Sequence, residues 1–313
     1  MGALADRVLA GDRRAAGRLI SQAERRDPQA LQDLGILYRH GGHARTIGIT
    51  GPPGAGKSTL VDALISRFRK QDMTVAVAAV DPSSPFSHGA VLGDRVRMMR
   101  HADDVGVLVR SMATRGALGG LSTAIGDAIT IFDAMTFDII IVETVGVGQS
   151  ETDVVGHCEA VILLQTALGG DDIQAIKAGV LEIADLIVVN KKSAPGSDRM
   201  ARFLRESLHD RPARADGWTI PVLLTEASEN IGVNALVDAV TQRFEHNRAQ
   251  DDRVSVTRRR QVAAHLMTLA DVEIRSLTHR LISGQAAPEA WQSVLERRSD
   301  PWTLSAQLFK KLR

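Results

Sequence analysis

The 313 residues include a single cysteine, Cys158. One thiol excludes an internal disulfide and a cysteine-based zinc site, and it fits a reducing compartment; a small buried hydrophobe is its expected role. Long apolar runs are missing too. Stretches such as Ile139 to Val142 and Val161 to Leu164 are bounded by polar or charged residues, well short of the roughly 20 apolar residues that a membrane-spanning helix needs. The opening Met1-Gly2-Ala3-Leu4-Ala5-Asp6 holds no apolar core of signal-peptide length, and Asp6 stands where a myristoylation signal requires Ser or Thr. A cytoplasmic protein without membrane contact is expected. Net charge is also scarce: 38 Lys and Arg against 37 Asp and Glu leave +1. That balance excludes a whole-chain nucleic-acid or membrane-surface binder, so any charged partner is met locally. With 44% hydrophobic and 24% charged residues the chain is neither disordered nor fibrous. Arg258-Arg259-Arg260 is its one basic triple and reads as a solvated helix face.

What is present falls into three parts. Residues 1–44 carry Leu4, Val8, Leu9, Leu19, Ile20, Leu31, Leu34, Ile36 and Leu37 at helical spacing and end at Gly41-Gly42. In residues 45–247, short β-branched apolar runs alternate with amphipathic stretches. The runs are Thr46 to Thr50, Thr74 to Val80, Val105 to Val109, Phe137 to Val142, Ala160 to Gln165, Leu186 to Val189 and Ile220 to Leu224. Near-continuous hydrophobic strands separated by helices predict an α/β domain with a mainly parallel sheet, helices covering both faces. In residues 248–313 the strand signal stops, and Val262, Leu266, Leu269, Ile274, Leu277 and Leu281 recur at helical spacing. That stripe either packs on the core or forms a dimer arm.

The strongest chemical signal is Gly51-Pro52-Pro53-Gly54-Ala55-Gly56-Lys57-Ser58-Thr59, a match to G-x-x-x-x-G-K-[ST] between a strand and the helical stretch Leu60 to Phe68. The glycines let backbone N–H groups curl around phosphate oxygens, and the helix N-terminus adds its positive end. Lys57 reaches the β and γ phosphates, and Ser58 can ligate Mg²⁺. Open α/β sheets bind ligands at the C-terminal ends of their strands, so a second element is expected there. Asp81 closes one strand, and Glu143 closes another and begins Glu143-Thr144-Val145-Gly146. An acidic residue at either place can hold Mg²⁺ directly or through water, and the Gly146 N–H can sense a γ phosphate. Asp94 offers a third carboxylate. Asn190-Lys191-Lys192-Ser193 follows the strand Leu186 to Val189, where P-loop GTPases carry N-K-x-D. Asn190 can hold a purine edge and the stem of Lys191 can lie on its face. Ser193 cannot supply the carboxylate that takes the guanine N1 and N2 protons, a loss of about 1–3 kcal/mol of discrimination. Asp198 lies five positions on, a poor candidate to replace it.

These residues closely resemble the MeaB/ArgK group of P-loop GTPases, chaperones of adenosylcobalamin-dependent acyl-CoA mutases. The resemblance spans nearly the whole chain and is most specific in Val80-Asp81-Pro82-Ser83-Ser84-Pro85-Phe86, Leu92-Gly93-Asp94-Arg95, Arg110-Ser111-Met112-Ala113-Thr114-Arg115-Gly116 and Glu143-Thr144-Val145-Gly146-Val147-Gly148-Gln149-Ser150-Glu151. It implies a helical N-terminal preface, a P-loop GTPase domain and a helical C-terminal arm that dimerises the protein. It implies Asp81 and Asp94 in a first switch, Glu143 in a second, and a third switch over Gly169 to Lys177, where Asp171 also reads as a helix cap. A mutase partner carrying the cobalamin follows from the same likeness. Two departures stand out. Ser193 replaces the guanine-reading Asp, and Glu226 of Leu224-Thr225-Glu226-Ala227-Ser228 replaces a Ser of the base-side loop. His88 stands where the family has a small residue.

The reading is a Mg²⁺-dependent GTP hydrolase of low intrinsic rate, because Val147 after Gly146 cannot orient a water and no arginine finger is evident. Gly51, Gly54, Ala55, Gly56, Lys57, Ser58, Thr59, Asn190, Lys191, Glu226 and Ala227 would bind nucleotide. A scaffold that binds nucleotide with little turnover or relaxed GTP/ATP choice competes with it. A kinase or ATPase linked to amino-acid transport ranks last, since the chain shows neither a membrane segment nor an ABC-type signature.

Overall fold

A computed structural model describes residues 3–81, 99–113, 120–144, 146, 156–167, 178–209, 211–249, 251–283 and 288–310. The chain divides into two compact units, Met1–His265 and Leu266–Arg313. In the first, three short helices α1 (Ala3–Leu9), α2 (Arg13–Ala23) and α3 (Pro28–Tyr38) precede β1 (Arg45–Thr50). Then follow α4 (Lys57–Arg69), β2 (Val75–Asp81), β3 (Val107–Ala113), α5 (Gly120–Ala134), β4 (Ile139–Glu143), β5 (Ala160–Thr166), α6 (Ala178–Ile183), β6 (Leu186–Asn190), α7 (Ser197–His209), β7 (Val222–Leu224) and α8 (Val233–Arg248). The helix α9 (Asp251–Ser283) begins in this unit and runs into the second, which ends with α10 (Pro288–Leu295) and α11 (Pro301–Lys310).

Among the described residues seven strands form one sheet in the order β3-β2-β4-β1-β5-β6-β7, and every pair is parallel. Side chains alternate across a strand, so a sheet covered on both faces needs apolar residues at consecutive positions. In β4, Ile139 and Ile141 pack with α4 and α8, whereas Ile140 and Val142 pack with α2, α3 and α5. The N-terminal helices therefore share the core of the sheet. Asp133 at the end of α5 fastens the chain that leads from α3 into β1 by accepting the backbone N–H groups of Gly42, His43 and Ala44.

Three strands shift by two residues or more at one end, and β4 is one of them, running Ile139–Glu143 rather than 137–142. Strand β3 runs Val107–Ala113 rather than 105–109, leaving Val105 exposed. Asp104 closes a turn there, accepting the Gly106 N–H on its side chain at 2.7 Å and the Val107 N–H on its carbonyl at 3.0 Å. Pairing with β2 then continues to the end of that strand, Asp81 opposite Ala113. The seventh shrinks to Val222–Leu224 because Pro221 has no N–H to donate; its carbonyl still accepts from Ile187. Cys158 is buried, and burial pushes its thiol well above the ordinary range, as expected of an inert core residue. No helix among the described residues is long and apolar enough to cross a membrane.

A buried polar cluster lies beside the first part of α9. The rings of His157 and His265 meet edge to face at 5.7 Å, His265 Nε2 lies 3.9 Å from Asp127 Oδ1, and Arg26 Nη1 lies 3.7 Å from Asp127 Oδ2. Burial disfavours charge on both kinds of group, lowering His157 to about 4 and raising Asp127 to about 6. The signs oppose: the unfolded chain holds the histidine proton more tightly, so that group adds stability as pH rises, whereas the folded chain holds the aspartic proton more tightly and loses stability as pH rises toward 6. Replacing Asp127 with Asn removes the second slope. Between pH 4 and 6 the unfolding free energy of Asp127→Asn from urea titration should climb more steeply than that of the parent, by up to about 1.4 kcal/mol per pH unit; parallel curves would show that Asp127 titrates normally.

Candidate nucleotide site

Because all strands are parallel, their C-terminal ends share one edge, where the loops after β1, β4, β6 and β7 converge. The loop after β1 is held tightly against its neighbours. Gly51 has φ +151°, and a Cβ there would lie 2.2 Å from the Leu164 carbonyl of β5. Gly56 has φ +92°, and a Cβ there would lie 2.5 Å from Asn190 Nδ2. Both positions require glycine. Helices α2 and α3 are capped by Asp12 and Asp27, but the cap of α4 is Gly56, with no side chain to accept the first-turn N–H groups. That end of α4 offers donors and a positive dipole end to an anion. Lys57 is buried, its Nζ donating to the carbonyls of Gly51 at 2.9 Å and Pro52 at 3.1 Å.

The start of α4 and the end of β4 meet at a buried contact. Ser58 Oγ donates to Glu143 Oε1 at 2.6 Å, and both residues are buried. Glu143 is level with Ile49 of β1 on one side and Ala79 of β2 on the other. Three residues beyond it, the Gly146 carbonyl accepts from Thr50 Oγ1 at 2.8 Å and lies 3.2 Å from Thr144 Oγ1. Gly146 is thereby held beside the first loop, 3.8 Å separating an ideal Cβ on it from Pro53. Ser58 and Glu143 present hard oxygen donors, the set that suits Mg²⁺ completed by substrate phosphates. Among the described residues no group of three His, Cys, Asp or Glu could hold a metal alone. Asp81 is the last residue of β2; Asp94, His88, Val147 and the segment Gly169 to Lys177, including Asp171, lie outside the described residues.

The loops after β6 and β7 remain zipped together beyond the sheet, Thr225 N–H donating to Val189 O and Lys192 N–H to Thr225 O, each at 2.9 Å. Asn190 locks this pair to the first loop. Its Nδ2 donates to Ala55 O at 2.9 Å, while its Oδ1 accepts from Thr225 Oγ1 at 3.0 Å and from the Ala227 N–H at 3.1 Å. Lys191 is exposed, with φ +57°. Asn190, read from sequence as a base contact, thus also braces the site, and the Ala227 N–H is engaged by it. Fully buried Thr225 was missed as a member, as was the pairing of the two departures: Ser193 donates to the Glu226 carboxylate from both N–H and Oγ. Those hydrogen bonds, with Lys191 nearby, hold the Glu226 carboxyl below its usual range. Two departures falling in the two loops of one subsite were the signal. Asp198 is exposed in the first turn of α7.

The family model described as Methylmalonyl Co-A mutase-associated GTPase MeaB matches residues 16–282. The chain belongs to this MeaB family of P-loop GTPases. A protein of Pyrococcus abyssi that bears a GTPase name is 41% identical over 311 residues, covering 99% of this chain and 96% of its own. The GTPase ArgK of Escherichia coli is 39% identical over 241 residues, 75% of this chain and 73% of that one. The mitochondrial methylmalonic aciduria type A homolog of Mus musculus is 32% identical over 260 residues, 77% and 62% of the two chains. A crystal structure titled as a LAO/AO transport system kinase superposes with TM-score 0.72 at 26% identity, covering 99% of this chain and 96% of that chain. The MeaB-family fold accounts for the seven-stranded parallel sheet with its helical termini.

Removing the brace tests the site's construction. Asn190→Ala leaves the Ala55 carbonyl and the Ala227 N–H without their buried partner, which costs about 1–3 kcal/mol. It should also weaken guanine-nucleotide binding about tenfold or more by freeing the two loops, read by urea unfolding and calorimetric titration; a variant with parental affinity would show that the brace is dispensable.

Proposed function

We propose that this MeaB-family protein is a Mg²⁺-dependent GTPase that gates cobalamin loading and protection of an adenosylcobalamin-dependent acyl-CoA mutase. The observation that carries the reading is the 2.6 Å hydrogen bond from Ser58 to Glu143, which joins the phosphate loop to the strand end that leads into Gly146. The family's printed description supports a mutase as partner. Cobalamin is assigned to that partner.

In the proposed reaction a water oxygen attacks the γ phosphorus in line, the bond from that phosphorus to the β-phosphate oxygen breaks, and GDP and inorganic phosphate leave. The loop N–H groups and the first turn of α4 hold the phosphates. Lys57 exchanges its carbonyl partners for β and γ oxygens and stabilises the charge that gathers there. Ser58 and Glu143, with Asp81 and Asp94 from the first switch, would hold Mg²⁺, which neutralises phosphate charge when bound. The Gly146 N–H would report the γ phosphate, since the hydrogen bond from Thr50 to the Gly146 carbonyl holds this residue beside the phosphate loop. Asn190, Lys191, Glu226 and Ala227 line the base end. Thr59, Gly54 and Ala55 complete the loop.

The mutase would act by ordering the switches, raising a low intrinsic rate, and the γ phosphate would shift the mutase between states that admit or retain cobalamin. Large apolar side chains stand exposed along α9, among them Val262, Leu266, Met267, Ile274 and Leu277. They support homodimerisation through the C-terminal helices.

Two measurements test this. Glu143→Gln keeps the side chain's size and its bond to Ser58 but removes the charge, so the Mg²⁺ concentration for half-maximal hydrolysis should rise, or kcat fall, about 10–100-fold; an unaltered Mg²⁺ titration would remove Glu143 from the site. Titrating acyl-CoA mutases into the hydrolysis assay should raise the rate. No change with any of them would sink the coupling, and a Lys57→Ala protein that kept full support of the mutase would make it a nucleotide-binding scaffold instead.

A further inference from the structure

The base end of the site contains a carboxylate, supplied by the loop after β7. Glu226 Oε2 accepts from the Ser193 N–H at 3.2 Å and from Ser193 Oγ at 2.7 Å, and Glu226 Oε1 accepts from Ser228 Oγ at 3.1 Å. The charge thus sits one hydrogen bond from the tip of residue 193, where the family's guanine-reading Asp is lacking. We propose that Glu226 is the base-selecting residue of this GTPase, its carboxylate taking the N1–H and the exocyclic N2–H of guanine in place of a carboxylate at 193. The inference rests on the GTPase reading above and adds the residue that confers its specificity.

Three features fit Glu226 for the task. The first is its frame. Its backbone pairs with Ile231 in both directions, at 3.0 and 3.1 Å, while its neighbours Thr225 and Ala227 are bonded to Asn190. The side chain therefore springs from a closed loop tied, through Asn190, to the phosphate loop. The second is its acceptor capacity. A carboxylate has about four acceptor positions, and the Ser193 and Ser228 hydroxyls that use two of them can rotate away. The Ser193 N–H stays as an anchor, so two acceptors can face a purine edge. The third is its charge. With its proton affinity lowered by the Ser193 hydrogen bonds, the group is ionised at neutral pH and can only accept. Guanine presents two donors to such a group, whereas adenine presents the lone pair of N1, which a carboxylate repels. Asp198, exposed in the first turn of α7, has no comparable link to Ser193.

The test is calorimetric titration of the full chain with Mg²⁺-loaded, non-hydrolysable analogues of GTP, ATP, ITP and XTP. The parent should prefer GTP to ATP about a hundredfold, roughly 2.7 kcal/mol, and should bind ITP, which lacks the N2 amino group, about tenfold more weakly than GTP. Glu226→Gln should bring GTP and ATP within about threefold of each other and should favour XTP over GTP, because an amide can accept N1–H and donate to the xanthine C2 carbonyl. The double variant Ser193→Asp, Glu226→Ser should recover the preference for GTP by returning the carboxylate to 193. A Glu226→Gln protein that keeps the hundredfold preference overturns the proposal. So does one that loses it with neither the gain in XTP binding nor recovery in the double variant, which would make Glu226 a brace for the loop. A parent that binds GTP and ATP equally overturns the proposal while leaving nucleotide binding in place. Failure to bind any of the four removes the GTPase reading itself.

Discussion

The carboxamide of Asn190 divides its hydrogen bonds between segments far apart in the chain, reaching Ala55 O on one side and Thr225 and Ala227 on the other. It is 3% exposed and stands at the last position of β6, so neither its backbone nor its side chain has room to wander. A buried amide left without partners costs a substantial share of a domain's net stability. The loops of the nucleotide site therefore hold together or loosen together. The same side chain leaves no room for a Cβ on Gly56, and Gly56 starts α4 without a side-chain cap, so its first-turn donors face the phosphate loop. One amide thus connects base end, loop shape and helix terminus.

That amide can do this only because the sheet is wholly parallel. Parallel strands send every C-terminal end to one edge, and the order β4-β1-β5-β6 sets the loops after β4 and β6 on opposite sides of the loop after β1. Glu143 approaches from one side and Asn190 from the other. Burial of both faces of the sheet makes the register costly to change, since a slip of one residue would move Ile139, Ile141 and their neighbours to the wrong core. The rigidity of the site is thus drawn from packing remote from it, including the N-terminal helices that share a core with β2 and β4.

Much of this was legible in the amino-acid order, and the reason is local. A strand covered on both faces writes itself as an unbroken apolar run, and Gly51 to Ser58 needs no distant residue to be recognised. The limits of the strands were harder to read wherever a neighbour decides them. The third strand runs on to Ala113 through Arg110 and Ser111 because β2 offers partners as far as Asp81, and no apolar pattern announces that. Ser58 and Glu143 were each legible as an oxygen donor for a nucleotide's cation, the one from its place in the phosphate-loop motif and the other from its place at a strand end; their direct contact is what the structure adds. Thr225 and the bracing role of Asn190 were not legible, because each depends on where a side chain points after three loops have met.

Ser193 and Glu226 illustrate the difference most clearly. Taken one at a time along the chain, the first is a carboxylate lost and the second a Ser of the base-side loop replaced by a charge, and both argue for weaker base selection. Once Lys192 N–H is bonded to Thr225 O, the loops lie side by side and the two changes touch. What a base edge meets is a charge at a place in space, and the chain is free to deliver it from either loop provided the loop is stiff. Glu226 has one more methylene than Asp, and the Ser193 N–H restrains the added freedom by donating to the carboxylate end. A small residue at 193 is then required for Glu226 to lie where it does: an Asp at 193 would bring two like charges within a few ångströms, which neither could accommodate while both remained ionised. The two positions can exchange the carboxylate between them, but they cannot both carry it.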